Sequence, residues 1–250
     1  MRALSNLADR LTFLRIVLTR RFIWPELSEV MQKRYYPVRD VRASAQPLSF
    51  AARLPRTDRP APDFAAAIGP LAAFAPAGTP DWASEAAVSE CLGELAFRLG
   101  AAKVIEVGCF TGTTSAHLAL GLRAAGGGGR LWCVDGDQAF LDVARANLGR
   151  LGLGDNVEFI CSHSTDAALV SKLPAEADLI FLDTSHDYAE TARELALFLP
   201  LLKRGGYLAM HDSIKFQGVR RWVNELAANF EVLTFATQHG NGLSLLWAKD

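Results

Sequence analysis

Two short runs in this 250-residue chain hold residue types that do acid–base and metal chemistry. FLDTSHDY carries Asp183 and, three residues later, His186, followed by Asp187 and Tyr188. GGYLAMHD ends in His211 and Asp212. A carboxylate-rich set suits a hard cation such as Mg²⁺, and a histidine shifts the preference toward Mn²⁺ or another transition metal. A histidine that titrates near neutral pH also serves as a general base. Asp183, His211 and Asp212 are therefore the candidate metal ligands, and His186 with Asp183 the candidate catalytic residues. The plainer alternatives are that His211 packs, that Asp212 caps the turn into the next helix, and that His186 is a surface-loop histidine.

A third run, VIEVGCFTGTTSAHLAL from Val104 to Leu120, reads as a buried strand, a glycine turn and a helix. Gly108 and Gly112 let the backbone approach a ligand closely, and the helix that follows points free N–H groups at it. The spacing is E-x-G-x-x-x-G. A dinucleotide-binding turn, G-x-G-x-x-G, would need glycines where Glu106 and Thr111 stand, which weakens a pyrophosphate reading. CVDGD supplies Asp135, 23 residues after Gly112, close to the interval expected of an acid that binds two ribose hydroxyls. Asp137 suits the next helix N-cap better. CSHSTD puts His163 and Ser164 where they could meet an adenine edge, although Ser164 or Thr165 also suits a helix cap.

Positioning these groups takes a particular frame. Ala86–Leu99 reads as a helix. Strands and helices then alternate: Lys103–Val107, Thr113–Ala124, Arg130–Val134, Gln138–Leu151, Val157–Cys161, Thr165–Lys172, Leu179–Leu182, Tyr188–Leu202, Gly206–Met210, Val219–Asn229. Such alternation predicts right-handed βαβ units and a parallel sheet. Glu231–Thr237 and Leu243–Ala248, joined by the short turn Gln238–Gly242, predict an antiparallel end. The expected fold class is α/β: a doubly wound, mostly parallel, seven-stranded Rossmann-like sheet with its last strand antiparallel, inserted beside the fifth. Ligands bind outside the carboxyl ends of such strands. Neighbouring strands lie about 5 Å apart, so Asp183, His211 and Asp212 could converge on one ion.

Eight of the eleven prolines fall between Pro37 and Pro80. Residues 1–80 are read as an N-terminal arm with a cationic amphipathic helix near Leu4–Phe22, a second near Glu26–Tyr35, and an irregular stretch after them. A lid or dimerisation helix is expected of the first, ahead of contact with a membrane surface. Residues 81–250 form the ligand-binding domain. Half of the residues are hydrophobic and the formal net charge is −1, which gives no case for nucleic acid. No apolar run approaches the roughly 20 residues that cross a bilayer. Leu11–Leu18 is broken by Arg15 and lacks a clean cleavage site, and Pro25, Glu26 and Glu29 follow Arg20-Arg21, so neither a signal peptide nor a twin-arginine signal is expected. Cys91, Cys109, Cys133 and Cys161 have no zinc spacing and are expected as free thiols in a reducing cytoplasm.

From Asp81 onward the chain resembles the class I S-adenosylmethionine-dependent O-methyltransferases, in particular the metal-dependent catechol type and its relatives that methylate sugars. The resemblance rests on VIEVGCFTG, CVDGD, FLDTSHDY, GGYLAMHD and GVRRWVNEL. It implies that Asp183, His211 and Asp212 bind a divalent cation, Mg²⁺ or Mn²⁺, with His211 where the family usually has a carboxylate. It implies that His186 stands where catechol enzymes carry a lysine base. It implies that Thr114 holds the methionine carboxylate and that Glu106, Gly108 and Asp135 are the cofactor-turn and ribose positions; with Gly112, Ser164 and Asp183 they make up the expected cofactor-binding set. The expected activity is methyl transfer from S-adenosylmethionine to a hydroxyl of a vicinal diol, a sugar or glycosylated metabolite before a catechol, by a cytoplasmic homo-oligomer, a dimer for preference. Two alternatives stand beside it: a metal-independent methyltransferase with His186 or His211 as base alone, and a non-catalytic module whose basic arm binds a membrane or partner.

Overall fold

The computed structural model describes residues 46–47 (backbone), 57–70, 73–76, 79, 82–126, 128–237 and 239–248. The helices expected at Leu4–Phe22 and Glu26–Tyr35 lie outside the described residues.

Seven strands form the body of one sheet: β1 Lys103–Val107, β2 Arg130–Asp135, β3 Val157–Cys161, β4 Ala177–Leu182, β5 Leu202–His211, β6 Phe230–Ala236 and β7 Leu243–Ala248. Their order is β6-β7-β5-β4-β1-β2-β3. All neighbours are parallel except β7, which runs antiparallel to both β5 and β6. The expected α/β class and the insertion of the last strand beside the fifth are both borne out. A two-residue edge strand, Gln46–Pro47, pairs in parallel with β6 at Phe235 and Ala236. It comes from the stretch read as irregular, and an edge is where a sheet tolerates proline.

The helices among the described residues are α1 Phe64–Ile68, α2 Ala86–Leu99, α3 Thr113–Ala125, α4 Gln138–Arg150, α5 Tyr188–Phe198 and α6 Gln217–Leu226. Alternate strand residues face opposite sides. Val104, Leu131, Leu179 and Ala209 join the core shared with α2, α3 and α4. Ile105, Val134, Ile180 and Leu208 join the core shared with α5 and α6. Phe64, Ile68 and Phe74, which precede residue 80, are buried in the first of these cores.

Several boundaries differ from expectation, two of them with a clear local cause. The helix expected over Tyr188–Leu202 ends at Phe198, and a 3₁₀ turn containing Pro200 leads straight into β5 at Leu202. Proline removes the amide that would continue the helix. Thr165–Lys172 is a 3₁₀ helix, Ala167–Lys172, capped by Asp166.

The register sets the site. Val107 pairs with Val134 and with Leu182, and Leu182 with Met210. The residues that follow, Gly108, Asp135, Asp183 and His211, therefore emerge at one level. The chain reverses its direction of winding between β1 and β4, the point where open α/β sheets bind ligands.

Candidate active site

A cavity of about 630 Å³ opens over these four strand ends. That is room for a ligand of cofactor size. Gly108, Thr114, Asp135, Ser164, Asp183, His186, His211 and Asp212 all line it.

At one end lies the glycine turn. Gly108 has φ +88°, and a Cβ there would stand 1.9 Å from the Asp183 carbonyl oxygen. Only glycine lets β1 and β4 come so close at their mouths. Phe110, also in the left-handed region at φ +48°, donates its N–H to Asp135 Oδ2 at 2.8 Å. Asp135 Oδ1 accepts from the Asp137 amide at 3.0 Å. Asp137 itself caps α4, as expected. Asp135 thus fixes the turn while facing the cavity. Thr114 shares a hydrogen bond with Ser89 of α2, 2.9 Å between hydroxyl oxygens. Thr113 Oγ1 is buried with no hydrogen-bond partner and its residue lines the cavity. Ser164 donates to Glu194 Oε1 at 2.5 Å.

Two members of the expected cofactor set sit behind the turn and do not line the cavity. Glu106 is fully buried beneath it, where Oε2 accepts from Ser115 at 2.5 Å and Cys133 Sγ at 3.3 Å. Burial pushes its carboxyl up to about 8, against the two hydrogen bonds. Gly112, φ +87°, precedes α3, and a Cβ there would stand 2.9 Å from that of Ala144. Its service is to the backbone and to the packing of α4.

At the other end, Asp183, His186 and Asp212 bring one ligand atom each within 4.8 Å of one another. Asp212 reaches this point from the left-handed region, φ +59°. His186 Nε2 is buried and lies 2.5 Å from Asp212 Oδ2 outside hydrogen-bond geometry, leaving the nitrogen without a hydrogen-bond partner. An orphaned imidazole nitrogen between two carboxylates is a donor set that fits a divalent cation. The expected ligand set was different. His211 has Nδ1 3.1 Å from Asp183 Oδ1 and Nε2 2.7 Å from Glu85 Oε2, so carboxylates occupy both ring nitrogens. Burial disfavours the charged ring, but Asp183 and Glu85 outweigh it and raise His211 to about 10. With both ring nitrogens of His211 facing carboxylates, His186 is the imidazole that stands with Asp183 and Asp212. Burial likewise raises Glu85, while its bonds to His211 and Thr237 win and hold it at about 2. Asp183 is held below its ordinary value, with burial opposed by His211, Ser84 and His186.

Sequence reasoning missed several lining residues. Trp82 packs on Phe110 and Phe140, with ring centroids 5.9 and 6.3 Å away. Ser84 donates to Asp183 Oδ2 at 2.6 Å. Phe216 stacks on His186, and Asn241 presents a buried, unpartnered Oδ1. Glu85, which engages His211, was also missed. No local pattern in the sequence points to it; in the structure it occupies the N-cap position of α2 without capping the helix.

Residues 105–213 match the family described as Methyltransferase domain. The match takes in the strand ends that line the cavity, from β1 to the end of β5. It is 30% identical over 149 residues to a catechol O-methyltransferase of Mycobacterium tuberculosis, a match that covers 60% of this chain. The chain spans 65% of that relative's length. Among solved structures it resembles an O-methyltransferase from Bacillus cereus in complex with SAH, at a TM-score of 0.61 and 23% identity over 72% of this chain and 88% of that one. It also resembles the O-methyltransferase TomG of tomaymycin synthesis from Streptomyces achromogenes in complex with SAM, at 0.60 and 21% over 90% and 100%. The resemblance to class I S-adenosylmethionine-dependent O-methyltransferases read from the motifs is borne out, and the sheet order of this methyltransferase fold accounts for every strand from β1 to β7. No helix among the described residues is long and apolar enough to cross a membrane.

Proposed function

We propose that the chain is an S-adenosylmethionine-dependent O-methyltransferase acting on a small molecule with hydroxyl groups, a vicinal diol of a sugar or glycosylated metabolite in preference to a catechol. One observation carries this reading. A single cavity joins Asp135, at the interval of a ribose-binding acid, to the acid–imidazole cluster of Asp183, His186 and Asp212. The relative that is a catechol O-methyltransferase supports the same class.

In this reading Asp135 accepts from the ribose hydroxyls. The N-terminus of α3, with Thr113 and Thr114, takes the methionine carboxylate. The transferred methyl then lies before Asp183 and His186. The acceptor oxygen attacks it in line; the C–O bond forms as the C–S bond breaks, and the electron pair leaves with sulfur as a neutral thioether. His186 takes the hydroxyl proton, and Asp212, 2.5 Å away, stabilises the imidazolium that results. Holding the two reactants in this alignment supplies much of the rate.

A second reading follows from the orphaned His186 nitrogen. Asp183, His186 and Asp212 would hold a divalent cation, with Mn²⁺ favoured over Mg²⁺ by the imidazole. Such an ion, when bound, lowers the pKa of a coordinated acceptor hydroxyl. His186 is then a ligand and not the base. The proposal further takes the protein as a cytoplasmic homo-oligomer with residues 1–80 as its lid or dimerisation arm. Four free cysteines fit a reducing compartment, and the near-zero net charge gives no case for a nucleic-acid partner.

Calorimetric titration with S-adenosylhomocysteine, with and without Mn²⁺ or Mg²⁺, tests both readings. Micromolar binding is expected, and a Mn²⁺-dependent heat would favour the second. No binding by a folded sample would remove the methyltransferase reading. With an acceptor found by transfer of labelled methyl to a diol panel, His186→Ala should lower kcat about 10²–10⁴-fold with the S-adenosylhomocysteine affinity retained.

A further inference from the structure

The Ser84–Glu85 dipeptide precedes α2, about a hundred residues from the strand ends it touches. Ser84 Oγ donates to Asp183 Oδ2 at 2.6 Å. Glu85 Oε2 faces His211 Nε2 at 2.7 Å, and His211 Nδ1 faces Asp183 Oδ1 at 3.1 Å. Both oxygens of Asp183 are thereby held, one directly by Ser84 and one through His211 by Glu85. The second oxygen of Glu85 accepts from Thr237 Oγ1 at 2.8 Å, and Thr237 accepts in turn from the Gly242 amide at 3.0 Å. The dipeptide therefore ties β4, β5 and the β6–β7 turn together. Three residues before Glu85, Trp82 rests on Phe110 and Phe140 at the ribose end, 68% exposed. Residues 82–85 thus form a strap along the cavity, with aromatic contacts at one end and a carboxylate anchor at the other.

Helix capping does not explain Glu85. Asp63, Asp137 and Asp187 cap their helices through their side chains, whereas Glu85 occupies the N-cap position and makes no such bond. Its carboxylate is committed to His211 and Thr237, and its side chain is 7% exposed. Burying a carboxylate is unfavourable unless its partners are all in place.

We propose that Glu85 is a positioning residue: acting through His211, it fixes the Asp183 carboxylate at the cavity and anchors the strap that closes over the ligand. This rests on the reading of the cavity as the S-adenosylmethionine site.

The test uses the full chain. Ring ¹⁵N–¹H spectra of His211 and calorimetric titration with S-adenosylhomocysteine are compared for wild type, Glu85→Gln, Glu85→Ala, His211→Ala and the double variant Glu85→Ala/His211→Ala. In wild type both ring N–H protons of His211 should be slow to exchange. In Glu85→Ala the Nε2 proton should be lost to exchange and the affinity should fall five- to twenty-fold. Glu85→Gln, which keeps the Thr237 contact, should recover most of that loss and covers the case in which Glu85→Ala does not fold. The double variant should bind no more weakly than the weaker single variant, since the two residues act as one unit. Unchanged His211 signals in Glu85→Gln and Glu85→Ala, or losses that multiply in the double variant, would overturn the proposal. Wild type that binds no S-adenosylhomocysteine would instead overturn the reading of the cavity, while the ring signals would still decide whether Glu85 holds His211.

Discussion

The imidazole of His186 lies flat on the ring of Phe216, with centroids 3.7 Å apart and planes 8° apart. Lys215 Nζ lies 5.3 Å from the centroid of that ring. The stack restricts rotation of the imidazole about its own bond and keeps Nε2 between Asp183 and Asp212. Phe216 immediately precedes α6 and its N–H bonds the Asp212 carbonyl at 3.1 Å, so the stack and the carboxylate move as one piece. Phe216→Leu keeps an apolar side chain and removes the flat face. It should lower kcat about ten- to a hundred-fold, the cost of a small misplacement of a reacting group. The dissociation constant for S-adenosylhomocysteine should stay within about threefold, and Phe216→Tyr should restore the rate. Single-turnover methyl transfer reads the first and calorimetry the second. An unchanged rate in Phe216→Leu would mean that the stack does not orient His186 for the reaction.

Asp135 anchors the glycine turn and, in the proposed reading, also accepts from the ribose hydroxyls. Oδ2 anchors the Phe110 amide of the glycine turn and Oδ1 the Asp137 amide, so the carboxylate faces the cavity with the remaining lone pairs. Asp135→Asn keeps one acceptor oxygen but replaces the other with a donor that opposes an N–H. A charged hydrogen bond contributes about 1.5–3 kcal/mol, so affinity for S-adenosylhomocysteine should fall roughly ten- to a hundred-fold. Adenosine alone should lose affinity by the same factor, because in the proposed reading the ribose is the part affected. Equal binding of wild type and variant in calorimetry would place the ribose elsewhere.

Much of the site was legible because it is built from short local segments. The run from Val104 to Leu120 carries its own strand, turn and helix signals, and the strand-end rule put Asp135, Asp183, His211 and Asp212 on one cavity. The rule places residues but does not choose their partners. Whether His211 or His186 joins the two aspartates depends on Glu85, which lies 126 residues from His211 and has no local pattern that points at it. The same holds for Ser84, 99 residues from Asp183. Glu106 shows the opposite failure. Its motif position is clear from the sequence, but the alternation of faces along β1 turns its side chain into the core beside Cys133 and away from the cavity.

Glycines in this domain should divide sharply by what surrounds them. A Cβ at Gly108 meets the Asp183 carbonyl oxygen at 1.9 Å and the backbone there has φ +88°. Neither strand can retreat without breaking the β1–β4 ladder, so Gly108→Ala should destabilise by about 3 kcal/mol or more and abolish S-adenosylhomocysteine binding. Gly149, in the last turn of α4, has ordinary helical geometry, and a Cβ there would meet nothing within 4 Å. Gly149→Ala should be neutral or stabilise by about 0.5–1 kcal/mol through helix propensity. Thermal melts of the two variants beside wild type check both signs. A Gly108→Ala protein that melts with wild type would mean that the turn has room the geometry denies.

Glu106 gives the fold a pH dependence of unusual sign. Burial raises its folded-state value to about 8, from an ordinary 4.5, against the pull of Ser115 and Cys133. An acid with a raised value binds its proton more tightly in the folded state than in the unfolded one. Between about 4.5 and 8 the folded chain therefore holds more protons at this site, and stability falls as pH rises through that window. Below it both states are protonated and nothing is lost; above it the loss is complete and amounts to a few kcal/mol. Glu106→Gln keeps an acceptor for Ser115 and removes the ionisation. The variant should match wild type near pH 4.5 and be the more stable of the two near pH 8, with the gap opening steadily in between. Urea denaturation at a series of pH values measures it. A gap that stays constant with pH, or one that closes as pH rises, would show that Glu106 is ionised in the fold at neutral pH and that Ser115 and Cys133 outweigh its burial.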